Sequence, residues 1–117
     1  MQNFQFKEYT PEEDKIYEES IYKIKEGLKN GLDFKESCSM INVEDPALKR
    51  FIIEDALKIM IADMHYQNKL TLLQVADLLN VPLKTVNIAN MEMLEEAGLA
   101  SAEEYKKTNP EELFGNS

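Results

Sequence analysis

His65 and Cys38 are the residues of this 117-residue chain whose types could support metal binding or nucleophilic catalysis. His65 is the single histidine, and Asp63, two residues before it, would point to a different face of a helix. The two side chains therefore do not make a two-ligand metal site. Cys38, the single cysteine, falls where a small buried residue is needed for tight helix packing. The sequence predicts no catalytic residue and no metal ligand.

Pairs of neighbouring acidic residues are frequent, for example Glu18 with Glu19 and Glu95 with Glu96. All of these pairs fall in predicted helix caps or on solvated helix faces, where acidic residues favour the N-terminal dipole or face water. No phosphate-binding loop, zinc finger, calcium loop or glycine-rich nucleotide fingerprint is present in the sequence. We therefore expect a protein that is not an enzyme, with no cofactor and no small-molecule site.

The chain is acidic, with 13 Lys and Arg residues against 22 Asp and Glu residues, and its net charge is −9. A field of this sign repels nucleic acids and anionic membranes and so disfavours both as partners. A single cysteine permits no intrachain disulfide, and the sequence shows neither a signal peptide nor a long apolar run. These features favour a cytoplasmic protein without a membrane segment.

Capping signals and apolar periodicity predict an all-α fold, a compact bundle of about five helices. The longest apolar stretch, from Leu48 to Met64, predicts a central buried helix that carries Arg50, Glu54 and Lys58 as a polar ladder. We expect one domain over residues 1–107 and a frayed tail over 108–117. The predicted helices run from Thr10 to about Asn30, Asp33 to about Ile41, Asp45 to about Met64, Thr71 to Asn80 and Pro82 to Ala97, with a short one after Ser101.

The segment Leu70–Val86 has the spacing of two helices joined by a tight turn. Ala76 is small enough for a close helix crossing, Asn80 tolerates the left-handed backbone of the turn, and Val86 fills the angle between the helices. The segment resembles the helix-turn-helix superfamily of bacterial regulators and antitoxins. It departs from that superfamily at Asn80, where glycine is most frequent, and at Pro82, where serine is common. The resemblance implies a DNA-binding transcriptional regulator or antitoxin.

A similar pattern occurs twice in the chain. Residues 32–43 align without gaps on residues 70–81, so that Asp33 matches Thr71 and Cys38 matches Ala76. The alignment predicts an internal repeat, 32–51 and 70–89, in which two helix-turn-helix-like units share the central helix. Chance similarity is the alternative.

The exposed face of the fifth helix determines how such a unit is used. At 100° per residue, one arc faces the core, and the opposite arc combines large apolar residues with charges. Exposed apolar residues ringed by charge are typical of protein contacts, and we expect a protein partner or a homodimer. The predicted contact residues are Ile88, Met91, Glu92 and Glu95. The predicted core residues are Leu83, Val86, Ala89, Asn90, Met93, Leu94 and Ala97.

DNA binding is the alternative function. It would use Lys49 and Arg50 of the third helix with Lys84 and Asn87 of the fifth, because cations on phosphates supply most of the affinity for DNA. Acidic residues surround the first two cations, and a single cation on the fifth helix is a poor set for reading a groove. The sequence therefore favours the protein contact.

Overall fold

The computed structural model describes residues 9–98, and this part of the chain is all-α, with no strand. A π-helical segment, Ala62–Gln67, continues the third helix. The helix predicted after Ser101 and the tail predicted over 108–117 lie outside the described residues. The helices are α1 Pro11–Lys29, α2 Phe34–Cys38, α3 Pro46–Ile61, α4 Leu72–Leu79 and α5 Leu83–Glu96.

The helix starts follow the predicted caps. The side chains of Thr10, Asp33 and Thr71 each accept a hydrogen bond from the backbone N–H three residues later. The backbone N–H of each cap residue in turn donates to the side chain of that later residue, which completes a capping box. Asp45 caps α3 and precedes a proline at the first helical position. Gly31 follows the end of α1 with a φ of 97°, a left-handed conformation that glycine adopts at no steric cost. Local sequence signals thus set most of the helix boundaries.

The central position predicted for α3 is confirmed. It packs against α1 on one side and α5 on another, while α1 packs on α2 and α4 on α5. Ile52 and Ile61 are completely buried, and Leu48, Ala56 and Leu57 are nearly so. The apolar surface of α3 therefore joins the two halves of the molecule, and its burial supplies the main hydrophobic stabilisation.

The predicted end of the second helix is wrong, because α2 ends at Cys38 instead of near Ile41. After Cys38 the backbone closes with three-residue hydrogen bonds, from Met40 N–H to the Ser37 carbonyl and from Ile41 N–H to the Cys38 carbonyl. Ile41 is nevertheless buried in the core. Ile41 thus reaches the core through a turn, although its spacing also fits a helix. Apolar periodicity alone does not distinguish a turn from a helix at this point.

The end of α3 also differs from the prediction, because regular α-helix stops at Ile61 and a π-helical segment follows. The Asn68 N–H bonds to the Asp63 carbonyl, a five-residue spacing typical of π-helices. His65 Nδ1 lies 2.6 Å from the Leu70 carbonyl oxygen, which ties the ring to the segment that leads into α4. Lys69, between the π-helical segment and α4, has a left-handed backbone with a φ of 65°.

The α1 and α2 helices pack closely at Gly27 and Ser37. A Cβ atom added at Gly27 would lie 2.6 Å from Ser37 Oγ and 2.9 Å from Ser37 Cβ, so no larger residue fits without a shift. Ser37 is completely buried, and its hydroxyl has no hydrogen-bond partner within residues 9–98. The close contact therefore depends on glycine, although glycine weakens a helix interior.

We expect Gly27→Ala to lower the free energy of unfolding by about 1–3 kcal/mol, the usual cost of overpacking a core, although alanine favours helix. Urea unfolding followed by circular dichroism measures the change. Ser37→Ala removes the nearest atom and an unsatisfied hydroxyl, so the double variant should lose less than Gly27→Ala alone. Equal losses in the single and double variants would contradict this packing.

Candidate functional site

The turn between α4 and α5 has the predicted geometry. Asn80 adopts a left-handed backbone with φ 59° and ψ 46°, and the Val81 N–H bonds to the Ala76 carbonyl at 3.0 Å. Ala76 and Val86 are both buried, as expected of the close crossing and of the residue that fills the angle. The spacing of these three residues therefore predicted the local structure that presents α5.

A hydrogen bond that the sequence did not predict joins this turn to α2. The Asn80 side chain donates from Nδ2 to Asp33 Oδ2 at 3.1 Å, while Asp33 Oδ1 accepts from the Glu36 N–H at 2.8 Å. The backbone hydrogen bond from Glu36 and the side-chain hydrogen bond from Asn80 lower the pKa of the Asp33 carboxyl. The backbone of Asn80 thus forms the turn between α4 and α5, and its side chain links that turn to the N-cap residue of α2.

We expect Asp33→Asn to lower stability near neutral pH, because an asparagine still caps α2 but replaces the charge-assisted hydrogen bond to Asn80 with a weaker neutral one. Folding lowers the pKa of Asp33, so its contribution is full above the ordinary carboxyl pKa of about 4 and is lost as the pH falls through the folded value. The difference in thermal midpoint between wild type and variant should shrink on acidification. A difference that grows toward low pH would contradict the linkage.

The two aligned segments share burial but not turn geometry. Cys38 and Ala76 are both buried, and so are Leu48 and Val86, the later pair of equivalent positions. Asn42, however, does not adopt the left-handed backbone of its counterpart Asn80. The internal repeat stays a prediction, and the tight turn is a feature of the second segment.

The inner side of α5 packs as predicted at its centre. Val86, Ala89 and Asn90 are buried, and Asn90 Oδ1 accepts a 2.5 Å hydrogen bond from the Tyr66 hydroxyl. The core assignments of Leu83 and Ala97 are wrong, because both are exposed. Leu83 is the first residue of α5 and Ala97 follows its last residue, whereas the buried residues lie in the middle of the helix.

The outer side of α5 presents the residues predicted for a partner. Ile88 is 48% exposed, Met91 is half-buried, and Lys84 and Glu95 are exposed. Within residues 9–98, neither Lys84 nor Glu95 forms an ion pair. We call Lys84, Ile88, Met91 and Glu95 the α5 stripe. It combines uncovered apolar surface with two charges that have no partner in this part of the molecule.

Glu92, also predicted to contact a partner, takes part in an intramolecular network. Lys58 of α3 lies 3.3 Å from Glu92 and 2.8 Å from Glu96, and the Lys58 side chain is only 16% exposed. Partial burial opposes the charged form of Lys58, but the hydrogen bonds to Glu96 and Glu92 outweigh it and raise its pKa. The ion pairs of Lys58 therefore link α3 to α5. The sequence analysis placed Lys58 in a polar ladder on α3 and did not predict this contact.

The residues predicted for DNA binding lie on two helices. Lys49 and Arg50 are exposed near the start of α3, and Lys84 is exposed at the start of α5. None of the three forms an ion pair with residues 9–98. Asn87 is half-buried on α5. Three cations are therefore available to an anionic partner, but they lie on two different helices.

The thiol of Cys38 is buried and has little thiolate character. Burial raises the pKa of the Cys38 thiol to about 11, and the nearby charge of Lys49 only partly opposes this shift. No group of three or more metal-ligating side chains occurs within residues 9–98.

An open groove beside Leu48 is lined by Ile16, Glu13 and residues 42–45. No helix among the described residues is both long and apolar enough to cross a bilayer.

The charges of the α5 stripe oppose the helix dipole. Lys84 lies in the first turn, where the partial charge is positive, and Glu95 lies in the last turn, where it is negative. We expect Lys84→Glu and Glu95→Lys each to raise the free energy of unfolding by about 0.3–1 kcal/mol at low ionic strength and low protein concentration. Chemical unfolding measures the gain, and added salt should reduce it. A loss of stability would show that these charges have favourable contacts within the chain.

Comparisons of the chain with protein-family models, with curated proteins and with solved structures found no match. The function must therefore be inferred from the geometry and chemistry of the described residues.

Proposed function

We propose that this protein is a non-enzymatic helical interaction module that contacts another protein through the outer side of α5. The exposed position of Ile88 in the middle of that helix carries the proposal. Its neighbour Met91 extends the apolar surface, and Lys84 and Glu95 border it at the two ends. An apolar centre with a charged rim is the usual composition of a protein contact site.

The distribution of exposed apolar residues supports this proposal. Of the eight large apolar side chains that are exposed within residues 9–98, four lie in α4 and α5. Leu73 and Leu78 are each more than half exposed on α4, although that helix has only eight residues. Uncovered apolar residues in such a short stretch are typical of an interaction surface, whereas single ones scattered over a protein need no explanation.

The charge of α5 favours a protein over a nucleic acid. The helix contains one cation, Lys84, and three glutamates, and the single charge of Lys58 of α3 offsets only one of the two glutamates that it contacts, Glu92 and Glu96. Affinity for DNA comes mainly from cations that replace the counterions of the phosphates. A chain with a net charge of −9 and a single cation on this helix lacks that contribution.

A DNA-binding regulator or antitoxin is the second candidate. It is supported by the resemblance of Leu70–Val86 to the helix-turn-helix superfamily. It is also supported by Lys49, Arg50 and Lys84, which are exposed and form no ion pair with other residues of the range 9–98. Such a protein would place α5 at the groove, with Asn87 toward a base edge.

Site-specific photo-crosslinking tests the protein contact. A photoreactive amino acid at position 88 should give a discrete crosslinked product, in purified protein or in cells that express the chain. The same amino acid at Lys25, an exposed position on α1, serves as the matched control. A product at position 88 that is no stronger than at position 25 would refute the proposed contact.

Titration of labelled random duplex DNA separates the two candidates. We expect almost no binding at low salt, because the net charge is −9 and few phosphate contacts are available. Fluorescence anisotropy at low and high salt measures the affinity and its salt dependence. Tight binding that weakens steeply with salt, and that Lys84→Ala reduces, would favour the DNA-binding regulator.

A further inference from the structure

We propose that the partner of the α5 stripe is a second copy of this chain, bound through α5 in an antiparallel, two-fold arrangement. This inference rests on the proposed protein contact and specifies which protein binds there. Three observations support it, namely the spacing of the α5 stripe, the order of its residues, and the two charges that have no partner within residues 9–98.

The spacing makes the α5 stripe continuous. Lys84, Ile88, Met91 and Glu95 are separated by four, three and four residues. In an α-helix these steps keep all four side chains within an arc of about 60°. The alternation of three and four is also the spacing of the seam in coiled coils, where helices pack side by side. The outer side of α5 therefore has the pattern of a helix that pairs with another helix.

The order of the residues makes the α5 stripe self-complementary. A two-fold axis midway between residues 89 and 90 turns the helix end for end. Lys84 then lies beside Glu95 of the second copy, and Ile88 lies beside Met91 of the second copy. Each contact occurs twice by symmetry. A two-fold interface requires that one surface complement itself, and this order of cation, apolar, apolar and anion does so.

The charges at the ends of the α5 stripe are available for this pairing. Lys84 and Glu95 have no ion-pair partner within residues 9–98, and each opposes the dipole of its own helix. In the antiparallel pair each of them lies beside an opposite charge. The other two glutamates of α5, Glu92 and Glu96, are paired with Lys58, which limits repulsion at the edge of the contact.

The same features predict a weak dimer. A contact between two helices of 14 residues buries less area than a standard interface of about 1,600 Å², and the two copies repel because each carries a net charge of −9. The dimer should therefore form in a concentration-dependent way and exchange quickly. Measurements must extend to high protein concentration.

Charge reversal gives a test in which loss and recovery are both predicted. Lys84→Glu alone and Glu95→Lys alone each turn two attractive pairs into repulsive ones, and should weaken dimerisation about tenfold or more. The double variant Lys84→Glu/Glu95→Lys restores both pairs and should dimerise like the wild type. An equimolar mixture of the two single variants should form a heterodimer, because both of its pairs are again complementary.

Sedimentation equilibrium measures these states, with Lys25→Glu and Glu54→Lys as exposed control reversals on α1 and α3. Circular dichroism verifies that every variant folds. A wild type that stays monomeric, single variants that dimerise normally, or a mixture that stays monomeric would each overturn the antiparallel pairing. Crosslinking from position 88 to a different protein would leave the proposed function standing while this inference fails. Absence of any specific crosslink would remove both.

Discussion

The burial of α3 on two sides is the constraint on which the rest of the molecule depends. The pair α1 and α2 and the pair α4 and α5 are each too small to bury their apolar faces alone, and both cover α3. Ile52 and Ile61 are accordingly inaccessible to water. Because α3 uses the inner side of α5 for this purpose, the inner side is not available for binding. The proposed contact therefore uses the outer side.

The ion pairs of Lys58 divide the acidic residues of α5 into two groups. Glu92 and Glu96 lie within ion-pair distance of Lys58, whose side chain is mostly buried, and they stabilise the packing of α3 on α5. Glu95, on the outer side between them in sequence, has no such partner within residues 9–98. Because Lys58 adds one positive charge, α5 together with Lys58 has a net charge of −1 instead of the −2 of α5 alone, and the α5 stripe has opposite signs at its two ends.

Local signals in the sequence were sufficient for the caps, the left-handed turn and the central helix, because each depends on residues within one or two turns. The bond between Asp33 and Asn80 and the contact of Lys58 with α5 join distant residues, so no local pattern reveals them. The early end of α2 and the π-helical segment depend on packing and backbone geometry. The outer face of α5 was predicted correctly at Ile88, because helical periodicity is most reliable in the middle of a helix.

The resemblance of Leu70–Val86 to the helix-turn-helix superfamily concerns residues that shape the turn and pack inside the protein. Ala76 and Val86 are buried, so the geometry they produce is compatible with any outer side chains. Function depends on the outer side chains, as fold alone does not specify it. A groove-reading helix needs cations toward the phosphates on both sides. A helix face on which Lys84 and Glu95 flank the apolar Ile88 and Met91 matches its own reverse instead, which is the requirement for pairing with itself.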